Sequence, residues 1–327
     1  MGGLRGNRSS PGPPILGSPC RAVNLREPPG REEGSALRAA VAQIHPRLGD
    51  LEANLGLHRE WIRRAREGKA DLLVFPELSL TGYALRDLAP DLALPPRGGP
   101  LEGLAKEAGP MAVAVGAVVT SRTGPPSNAG VFLEKGRVAF LHRKVYLPDH
   151  GMFEEARYFS PGDRFRVHRS KALGMTTGIL VCRDLWHLSA GLVLGYRGMD
   201  LLLAMSASPG RDLAPGEERD GDFASLRMLR VLNEASARTL GVFVVHANRV
   251  GTEDGVTFAG GSEILAPTGR LLARGPEGEE ALVTADLDPD LLRRARTALP
   301  LERDERRDLT AREIRDALRE RGRRPAD

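Results

Sequence analysis

Three side chains in this sequence have the types and the order needed to cleave an amide: Glu77, Lys144 and Cys182. A thiol can bond to a carbonyl carbon, a carboxylate can move the thiol proton, and an ammonium can stabilise the charge that develops on the carbonyl oxygen. The chain has one other cysteine, Cys20, in a segment rich in Pro, Gly and Arg. Glu77, Lys144 and Cys182 are therefore candidates for the general base, the oxyanion support and the nucleophile of an amide-cleaving enzyme.

Each candidate also has an ordinary structural interpretation. Free cysteines are among the most buried residue types, so Cys182 could be an inert core thiol. Lys144 could lie on the surface at a hairpin end and Glu77 in a solvated loop, because both residue types are mostly exposed. Against this, Glu77 and Cys182 follow apolar runs, and the chain turns polar at Arg183 and Asp184 directly after the cysteine. Lysine is also rare in this arginine-rich chain, and its compact charge could hold a thiolate or an oxyanion.

Alternating strand and helix patterns predict the elements that must position these residues. The predicted helices cover residues 50–68, 101–108, 188–197 and 223–240. The predicted strands cover residues 37–44, 71–76, 111–119, 128–134, 138–142, 177–182, 201–205, 242–247, 261–265, 270–273 and 281–286. Glu77, Cys182 and the Ser206–Ser208 turn each follow an apolar strand, and ligands of open α/β sheets commonly lie at the carboxyl ends of strands. The pattern favours one α/β domain with a mixed sheet system.

Composition limits the class of protein. The 327 residues, 41% of them hydrophobic, can bury one large core or two small ones. No apolar run approaches the roughly 18 residues that a membrane span requires. Residues 1–36 lack the apolar centre of a signal peptide and are predicted to form a disordered leader. Two cysteines give no disulfide framework, and a thiol that must stay reduced predicts a cytoplasmic protein.

The positive charge of the chain is concentrated at its two ends. The sequence pI is about 9.3, yet the segment between the Arg-rich ends carries slightly more acidic than basic residues. No basic stripe interleaved with aromatic residues is present, so nucleic-acid binding is not expected. The seven histidines are scattered without metal-ligand spacing, so no metal site is expected. Residues 308–327 are predicted to be a charged helix and tail opened by a capping box from Thr310 to Glu313.

Together, three blocks resemble the signature blocks of the nitrilase, or carbon–nitrogen hydrolase, superfamily. They are Phe75–Glu77, Arg143–Lys144 with Leu147–Pro148, and Cys182–Trp186, and the candidates stand 67 and 38 residues apart. The resemblance covers roughly residues 37–307. It implies a four-layer αββα sandwich in a single domain, pairing into a homodimer or larger homo-oligomer, and no metal or organic cofactor.

The resemblance also implies a role for each residue. Glu77 would be the general base, Lys144 would stabilise the tetrahedral intermediate, and Cys182 would form a thioester that water hydrolyses. A second acid usually supports the lysine, and the matching position is Glu155 rather than its neighbour Glu154. The oxyanion would meet the lysine and the backbone N–H that follows the cysteine.

Within the superfamily, three further stretches are similar to the glutaminase domain of glutamine-dependent NAD synthetase. They are residues 80–88, 147–153 and 206–209, and a weaker echo runs from Arg249 to Ser262. This likeness implies a stand-alone glutaminase that would supply ammonia to a separate NAD synthetase. The candidate substrate contacts are Tyr83, His150, Phe153, Arg183, Trp186, Ser206 and Ser208.

Three positions differ from the family pattern among the residues that would bind glutamine. Arg183 stands where an acid commonly follows the cysteine, His150 where a tyrosine often stands, and Ala214 where a basic residue is expected. Arg183 would favour a substrate carboxylate if it faces the pocket, but it could equally point to solvent or pair with Asp184. Two alternatives therefore stay open: an N-carbamoyl amide hydrolase similar to β-ureidopropionase, and a catalytically inactive scaffold of the same fold.

Overall fold

Two six-stranded β-sheets form the centre of the structure, a computed structural model that describes residues 36–122, 124–210 and 223–321. The strands of the first sheet are β1 (Leu37–Gln43), β2 (Leu72–Val74), β3 (Ala112–Val119), β4 (Ser127–Glu134), β5 (Arg137–Arg143) and β14 (Ala281–Leu287). The strands of the second sheet are β6 (Val167–Arg169), β7 (Thr176–Val181), β8 (Leu201–Ser206), β9 (Phe243–Asn248), β12 (Glu263–Leu265) and β13 (Leu271–Arg274). A separate hairpin joins β10 (Val250–Glu253) to β11 (Val256–Ala259).

Both sheets follow the same plan. The first has the order β14-β1-β2-β3-β4-β5 and the second the order β13-β12-β9-β8-β7-β6. In each, three neighbouring strands run parallel, β1 to β3 in one and β7 to β9 in the other, and antiparallel strands flank them on both sides. The carboxyl ends of parallel strands meet at one edge, so each sheet offers one edge for polar residues.

Helices cover the outer face of each sheet. α1 (Leu51–Glu67) and α2 (Gly99–Ala108) pack on the first sheet, and α5 (Leu188–Tyr196) and α6 (Ala224–Leu240) on the second. The remaining helices are α3 (Glu155–Tyr158), α4 (Arg183–Trp186), α7 (Pro289–Ala298), α8 (Leu301–Asp304), α9 (Arg307–Arg321) and a 3-10 turn (Arg86–Leu88).

The alternation of side chains along the strands builds the layers. On β1, Ala39 and Val41 enter the core between the two sheets, whereas Ala40 and Ala42 face the helices outside. The inner core joins both sheets through residues such as Val74 of β2 and the inward side chains of β7 to β9. The four-layer αββα sandwich predicted from the sequence is confirmed.

The predicted capping box at Thr310 is wrong. α9 already begins at Arg307, and the Thr310 N–H donates to the Arg306 carbonyl 3.0 Å away, which is an ordinary helical bond. The Thr310 hydroxyl bonds to the Glu305 carboxylate, at 2.8 Å, instead of capping the helix. Because this hydroxyl binds Glu305, it does not cap a helix at Thr310, and α9 begins about one turn before the predicted start.

The C-terminal helix α9 contributes little to the sandwich. The predicted leader lies outside the described residues apart from Ala36. α9 is exposed along most of the length whose burial is described, including Ile314 and Leu318. None of the helices in the described part of the chain combines the length and the apolar character that a bilayer crossing requires.

Candidate active site

The ammonium of Lys144 lies between two buried carboxylates. Its Nζ donates to Oε1 of Glu77 and to Oε1 of Glu155, each at 2.7 Å. The three residues are 0%, 1% and 4% exposed, so water does not screen this cluster. Lys144 directly follows β5, and its backbone N–H donates to Asn128 of β4 at 2.9 Å. These three residues, with Cys182, are called the Lys144 cluster below.

Glu77 is held by groups from both sheets. Its Oε1 also accepts from the side-chain amide of Asn128 at 2.8 Å, and its Oε2 accepts from the Ala207 N–H at 2.9 Å. The turn that presents it packs against Gly116, where a Cβ would lie 2.3 Å from Leu78 N. Leu78 itself has a left-handed φ of +49°. Glycine at position 116 is therefore required for the close approach that places this carboxylate.

Cys182 stands at the sharp turn between β7 and α4. Its φ is +43° and its ψ is −97°, a strained conformation for a residue with a side chain. Its N–H donates to Met205 at 2.8 Å, and its side chain is half-buried. The Ala207 N–H that binds Glu77 also lowers the pKa of Cys182, so it lies close to the sulfur. One backbone amide thus brings the carboxylate of the first sheet and the thiol of the second together.

Burial and the excess of acids set the protonation of the cluster. Burial and the charges of Glu77 and Glu155 raise the pKa of Cys182, and Lys144 offsets this only in part. Burial alone would lower the pKa of Lys144, but Glu155 and Glu77 outweigh it and raise that pKa. Burial, opposed by Lys144, raises the pKa of Glu155. At neutral pH the sulfur is therefore a thiol and the lysine an ammonium. The lysine charge is then available to stabilise an oxyanion rather than a resting thiolate.

Tyr83 extends the cluster on the side of Glu155. Its hydroxyl donates to Oε1 of Glu155, the oxygen that also binds Lys144. Burial and the nearby carboxylates raise the pKa of Tyr83, so it stays a donor. Glu155 is the first residue of α3, and the neighbouring Glu154 is exposed. Of the two adjacent acids, the structure brings Glu155 to the lysine.

The aromatic candidates line up next to Tyr83. The ring of Phe153 meets Tyr83 edge-on at 6.2 Å between centroids, and His150 meets Phe153 at 5.6 Å. His150 is exposed and Phe153 is half-buried. The row therefore runs from solvent to the Lys144 cluster.

Arg183 and Trp186 form a separate pair on α4. The Arg183 guanidinium lies 5.5 Å from the centre of the Trp186 ring, and both side chains are half-buried. Asp184 is fully buried, and its oxygens contact the backbone N–H groups of Val145 and Tyr146 and the ring of His142. Of the alternatives for Arg183, pairing with Asp184 is not what the structure shows, because the guanidinium lies over Trp186 instead.

The two serine candidates differ from the other predicted contacts. Ser206 is fully buried, and its hydroxyl lies 3.1 Å from Nε2 of His246. Ser208 is 5% exposed, and its N–H donates to Asn248 at 2.9 Å. Neither hydroxyl is brought to the Lys144 cluster by a hydrogen bond within the described ranges. Ala214 lies outside the described residues.

Sequence reasoning missed three supporting groups: the Asn128 amide, the Ala207 N–H and the carboxylate of Asp184. Asp184 accepts from Val181 on the cysteine strand, at 3.2 Å, and from the loop that follows Lys144. It thereby ties the lysine loop to the cysteine turn. Two of these groups leave a signal in the sequence: Asn128 is an amide within an apolar strand, and Asp184 is an acid two residues after the cysteine. A backbone N–H leaves no signal in the sequence.

A cavity of about 330 Å³ borders the cluster. Its lining includes Tyr83, Glu155, Glu253 and Phe258. Hollows of about 610 and 630 Å³ lie elsewhere, one beside His45 and one between α5, α6 and α8. Of these three hollows, the one beside Glu155 is lined by a residue of the Lys144 cluster, and it is therefore the candidate substrate space. Within the described ranges, no three His, Cys, Asp or Glu side chains form a group that could hold a metal ion.

Comparisons with known proteins point to one family. Residues 38–297 match the model of the carbon-nitrogen hydrolase family. The chain is 34% identical over 258 residues to the glutamine-dependent NAD(+) synthetase of Thermotoga maritima, covering 78% of this chain and 42% of that protein. It is 28% identical over 277 residues to N-carbamoylputrescine amidase of Solanum lycopersicum, covering 80% and 89% of the two chains. The chain thus spans less than half the length of the synthetases it matches.

A solved structure with a similar fold is an amidase from Nesterenkonia sp. AN1, in a mutant form that carries the acetamide moiety of fluoroacetamide on its active site cysteine. The TM-score is 0.67 at 25% sequence identity, and the match covers 86% of this chain and 98% of the amidase.

Proposed function

The chain belongs to the carbon-nitrogen hydrolase family and is a hydrolase of carbon–nitrogen bonds, and from that premise we propose that it is a thiol amidase with Cys182 as nucleophile. Its substrate is a small linear amide, and its products are a carboxylic acid and ammonia or an amine. The favoured form is a glutaminase.

The observation that carries the proposal is the geometry of the Lys144 cluster. An ammonium held by two acids lies near a thiol, and the Ala207 N–H that binds Glu77 is close enough to the thiol to lower its pKa. An inert core thiol needs neither a strained turn nor three buried charges, which are costly to keep away from water. The covalent adduct on the active site cysteine of the Nesterenkonia amidase supports the same role here.

Acylation begins with a proton transfer. Because the pKa of Cys182 is raised, the thiol needs a base, and Glu77 is the acid held next to it. As Glu77 takes the proton, the sulfur bonds to the amide carbon and the carbonyl electron pair moves onto oxygen. The Lys144 ammonium and the N–H of Arg183, the first residue of α4, stabilise that oxyanion.

Collapse of the adduct breaks the carbon–nitrogen bond. Glu77 returns its proton to the departing nitrogen, which leaves as ammonia or an amine, and a thioester remains on Cys182. Water then attacks the thioester while Glu77 accepts a water proton. The carbon–sulfur bond breaks, the sulfur regains a proton from Glu77, and the acid is released. Glu155 holds Lys144 in place throughout by its hydrogen bond.

The likeness to NAD synthetases favours glutamine as the substrate. The likeness to N-carbamoylputrescine amidase covers 89% of that enzyme and favours an N-carbamoyl amide as the second candidate substrate. An N-carbamoyl substrate would yield carbon dioxide as well as ammonia. Arg183, with its delocalised charge on α4, would suit a substrate carboxylate by bidentate pairing.

An ammonia-release assay separates these possibilities. Glutamine, N-carbamoyl-β-alanine, N-carbamoylputrescine and simple aliphatic amides are compared with the wild type and Cys182→Ala. Turnover of one class that disappears in Cys182→Ala supports the proposal and names the substrate class. Turnover that survives in Cys182→Ala contradicts it, and silence toward the whole panel favours an inactive scaffold.

A second copy of the chain is the proposed partner at the outer helices of the second sheet. α5 carries no charged residue, and Leu188 and Leu301, 71% and 42% exposed, border the apolar hollow between α5, α6 and α8. We expect a homodimer or larger homo-oligomer in sedimentation analysis, and Leu188→Asp should shift it toward monomer.

A thiol that must stay reduced fits a cytoplasmic location. A separate NAD synthetase is a further candidate partner, and co-purification of the two proteins tests it.

A further inference from the structure

We propose that Arg249 is a positioning residue for the Lys144 cluster. It holds Tyr83 by two routes, one through the carboxylate of Glu253 and one through the ring of Phe258. Tyr83 in turn donates its hydroxyl to the second acid of the cluster. The inference rests on the proposed amidase function for one of its readouts, and a second readout is independent of that function.

The arginine itself is fully buried and incompletely paired. Arg249 joins β9 to β10 and is 0% exposed, and its Nη1 donates to Oε2 of Glu253 at 2.7 Å. Its Nε and Nη2 have no hydrogen-bond partner within the described residues. Burial lowers the pKa of Arg249, and the charge of Glu77 offsets part of that effect, so the guanidinium lies within electrostatic range of the general base.

Such a pair is poorly explained by stability alone. Buried ion pairs are often replaceable by apolar residues at no cost, because desolvation offsets their attraction. Buried donors without partners add a further penalty. An arginine kept under these conditions is better explained by what it orients than by what it stabilises.

The first route runs through the loop that carries Tyr83. Oε1 of Glu253 accepts from the backbone N–H of Tyr83 at 2.8 Å and of Ala84 at 2.7 Å. Gly82 allows this approach, because a Cβ there would lie 2.8 Å from Oε2 of Glu253. Arg249 binds that same Oε2. The guanidinium therefore fixes the rotamer of the carboxylate that holds the loop.

The second route runs through an aromatic ring. The Arg249 guanidinium lies 4.1 Å from the centre of the Phe258 ring, a cation–π distance. Phe258 packs against Tyr83 with a centroid separation of 6.0 Å and a tilt of 60°. The guanidinium thus contacts both groups that hold the tyrosine, one at its backbone and one at its ring.

The position of Tyr83 affects the Lys144 cluster through its hydrogen bond to Glu155. Its hydroxyl binds Oε1 of Glu155, the oxygen that holds Lys144, and this bond lowers the pKa of Glu155 against the effect of burial. If Tyr83 shifts, Glu155 is protonated more readily and the lysine loses one of its two fixed partners. Displacements of about 1 Å in such groups can cost about 100-fold in rate.

The test compares Arg249→Met, Tyr83→Phe and the double variant with the wild type. We expect each single variant to lower kcat/KM by roughly 10- to 100-fold and to move the acid limb of the pH profile to higher pH. The double variant should lose no more than the worse single variant, because both act on the same hydrogen bond. Arg296→Met is the matched control: it removes an arginine bonded to Asp200 and Met199, outside the Lys144 cluster, and should leave the acid limb unchanged.

An unchanged acid limb in Arg249→Met, or losses that multiply in the double variant, would overturn the proposal. If Arg249→Met does not fold, Arg249→Lys takes its place, since it keeps a cation for Glu253 but not the planar group over Phe258. It should shift the acid limb in the same direction by a smaller amount, and no shift contradicts the proposal.

A readout without amide turnover separates this inference from the proposed function. If the wild type cleaves no amide, the amidase proposal fails, and alkylation of Cys182 by iodoacetamide decides on Arg249. Peptide mass spectrometry distinguishes Cys182 from Cys20. Displacement of Glu155 weakens one cause of the raised thiol pKa, so labelling of Arg249→Met and Tyr83→Phe should begin at lower pH than in the wild type. Identical labelling profiles would overturn the proposal.

Discussion

The Lys144 cluster and a second buried cluster around Glu263 handle charge in opposite ways. Oε1 of Glu263 accepts from Nη2 of Arg274 at 2.7 Å and lies 3.6 Å from Arg230, and its Oε2 accepts from Asn233 at 3.3 Å. That single acid meets two cations, one of which is 40% exposed. In the Lys144 cluster, two acids share one cation and none of the three reaches water appreciably. These four residues, Glu263, Arg230, Arg274 and Asn233, are called the Glu263 cluster below.

The difference shows which buried charges perform chemistry. A carboxylate matched by cations that reach solvent is what a structural ion pair needs. A dry excess of acid beside a thiol raises the pKa of Cys182, Lys144 and Glu155 together, and that is the signature of a site built for proton transfer. We therefore expect substitutions in the Lys144 cluster to change catalysis and those in the Glu263 cluster to change stability.

Glu77→Gln should produce the largest effect among the charged residues. The amide keeps the size of the side chain but cannot take the proton of a thiol whose pKa is raised. We expect kcat/KM to fall by about 10⁴-fold, measured by ammonia release, with the thermal midpoint little changed. A loss of less than tenfold would show that Glu77 is not the base.

Lys144→Met should come next. It removes the charge that faces the oxyanion, which is worth about 10²- to 10³-fold in kcat, and leaves two buried acids without their cation. Lys171→Met, on an exposed lysine, is the control and should retain full activity. Equal activity of the two variants would place the oxyanion support elsewhere.

The pH dependence of the stability that Cys182 contributes should be a smaller effect than these losses of activity, but it tests whether the resting sulfur is a thiol. Its pKa in the folded protein is raised above the ordinary 9.0, so burial of the neutral thiol contributes stability that is fully present below that pH and is lost as the pH rises through the folded value. The stability of the wild type relative to Cys182→Ala should therefore decline above about pH 9, as thermal melts of both proteins would show. A gap that stays constant, or alkylation that is already fast at neutral pH, would indicate a resting thiolate.

Glu263→Gln should have the smallest effect on catalysis. It weakens charge-assisted bonds outside the Lys144 cluster, and we expect a loss of about 1–3 kcal/mol in unfolding free energy with kcat/KM within about twofold of the wild type. A large loss of activity without a loss of stability would erase the distinction between the two clusters.

The sequence predicts those parts of the molecule that local pattern determines. Apolar alternation and helical periodicity predict the strands and helices, and Glu77, Lys144 and Cys182 stand at strand ends where the turn residues mark them. The choice of Glu155 over Glu154 came from the resemblance to a family, because nothing local distinguishes two adjacent acids.

Other parts depend on contacts between distant segments. The Ala207 N–H that binds Glu77 is a backbone group, and the β10–β11 hairpin that supplies Glu253 falls where the sequence predicts no strand. The raised pKa of Cys182 depends on carboxylates from two other segments. The predicted start of α9 is wrong because the Glu305 carboxylate, which is not part of the capping-box pattern, binds the Thr310 hydroxyl.

The most direct test of the account is the mass of the Cys182 peptide after acid quench during turnover of an amide. We expect this peptide to carry the acyl group of the substrate through a hydroxylamine-sensitive thioester, with no such adduct on the Cys20 peptide. Turnover with an unmodified Cys182 peptide at every quench time, together with undiminished turnover by Cys182→Ala, would contradict the assignment of this sulfur as the nucleophile.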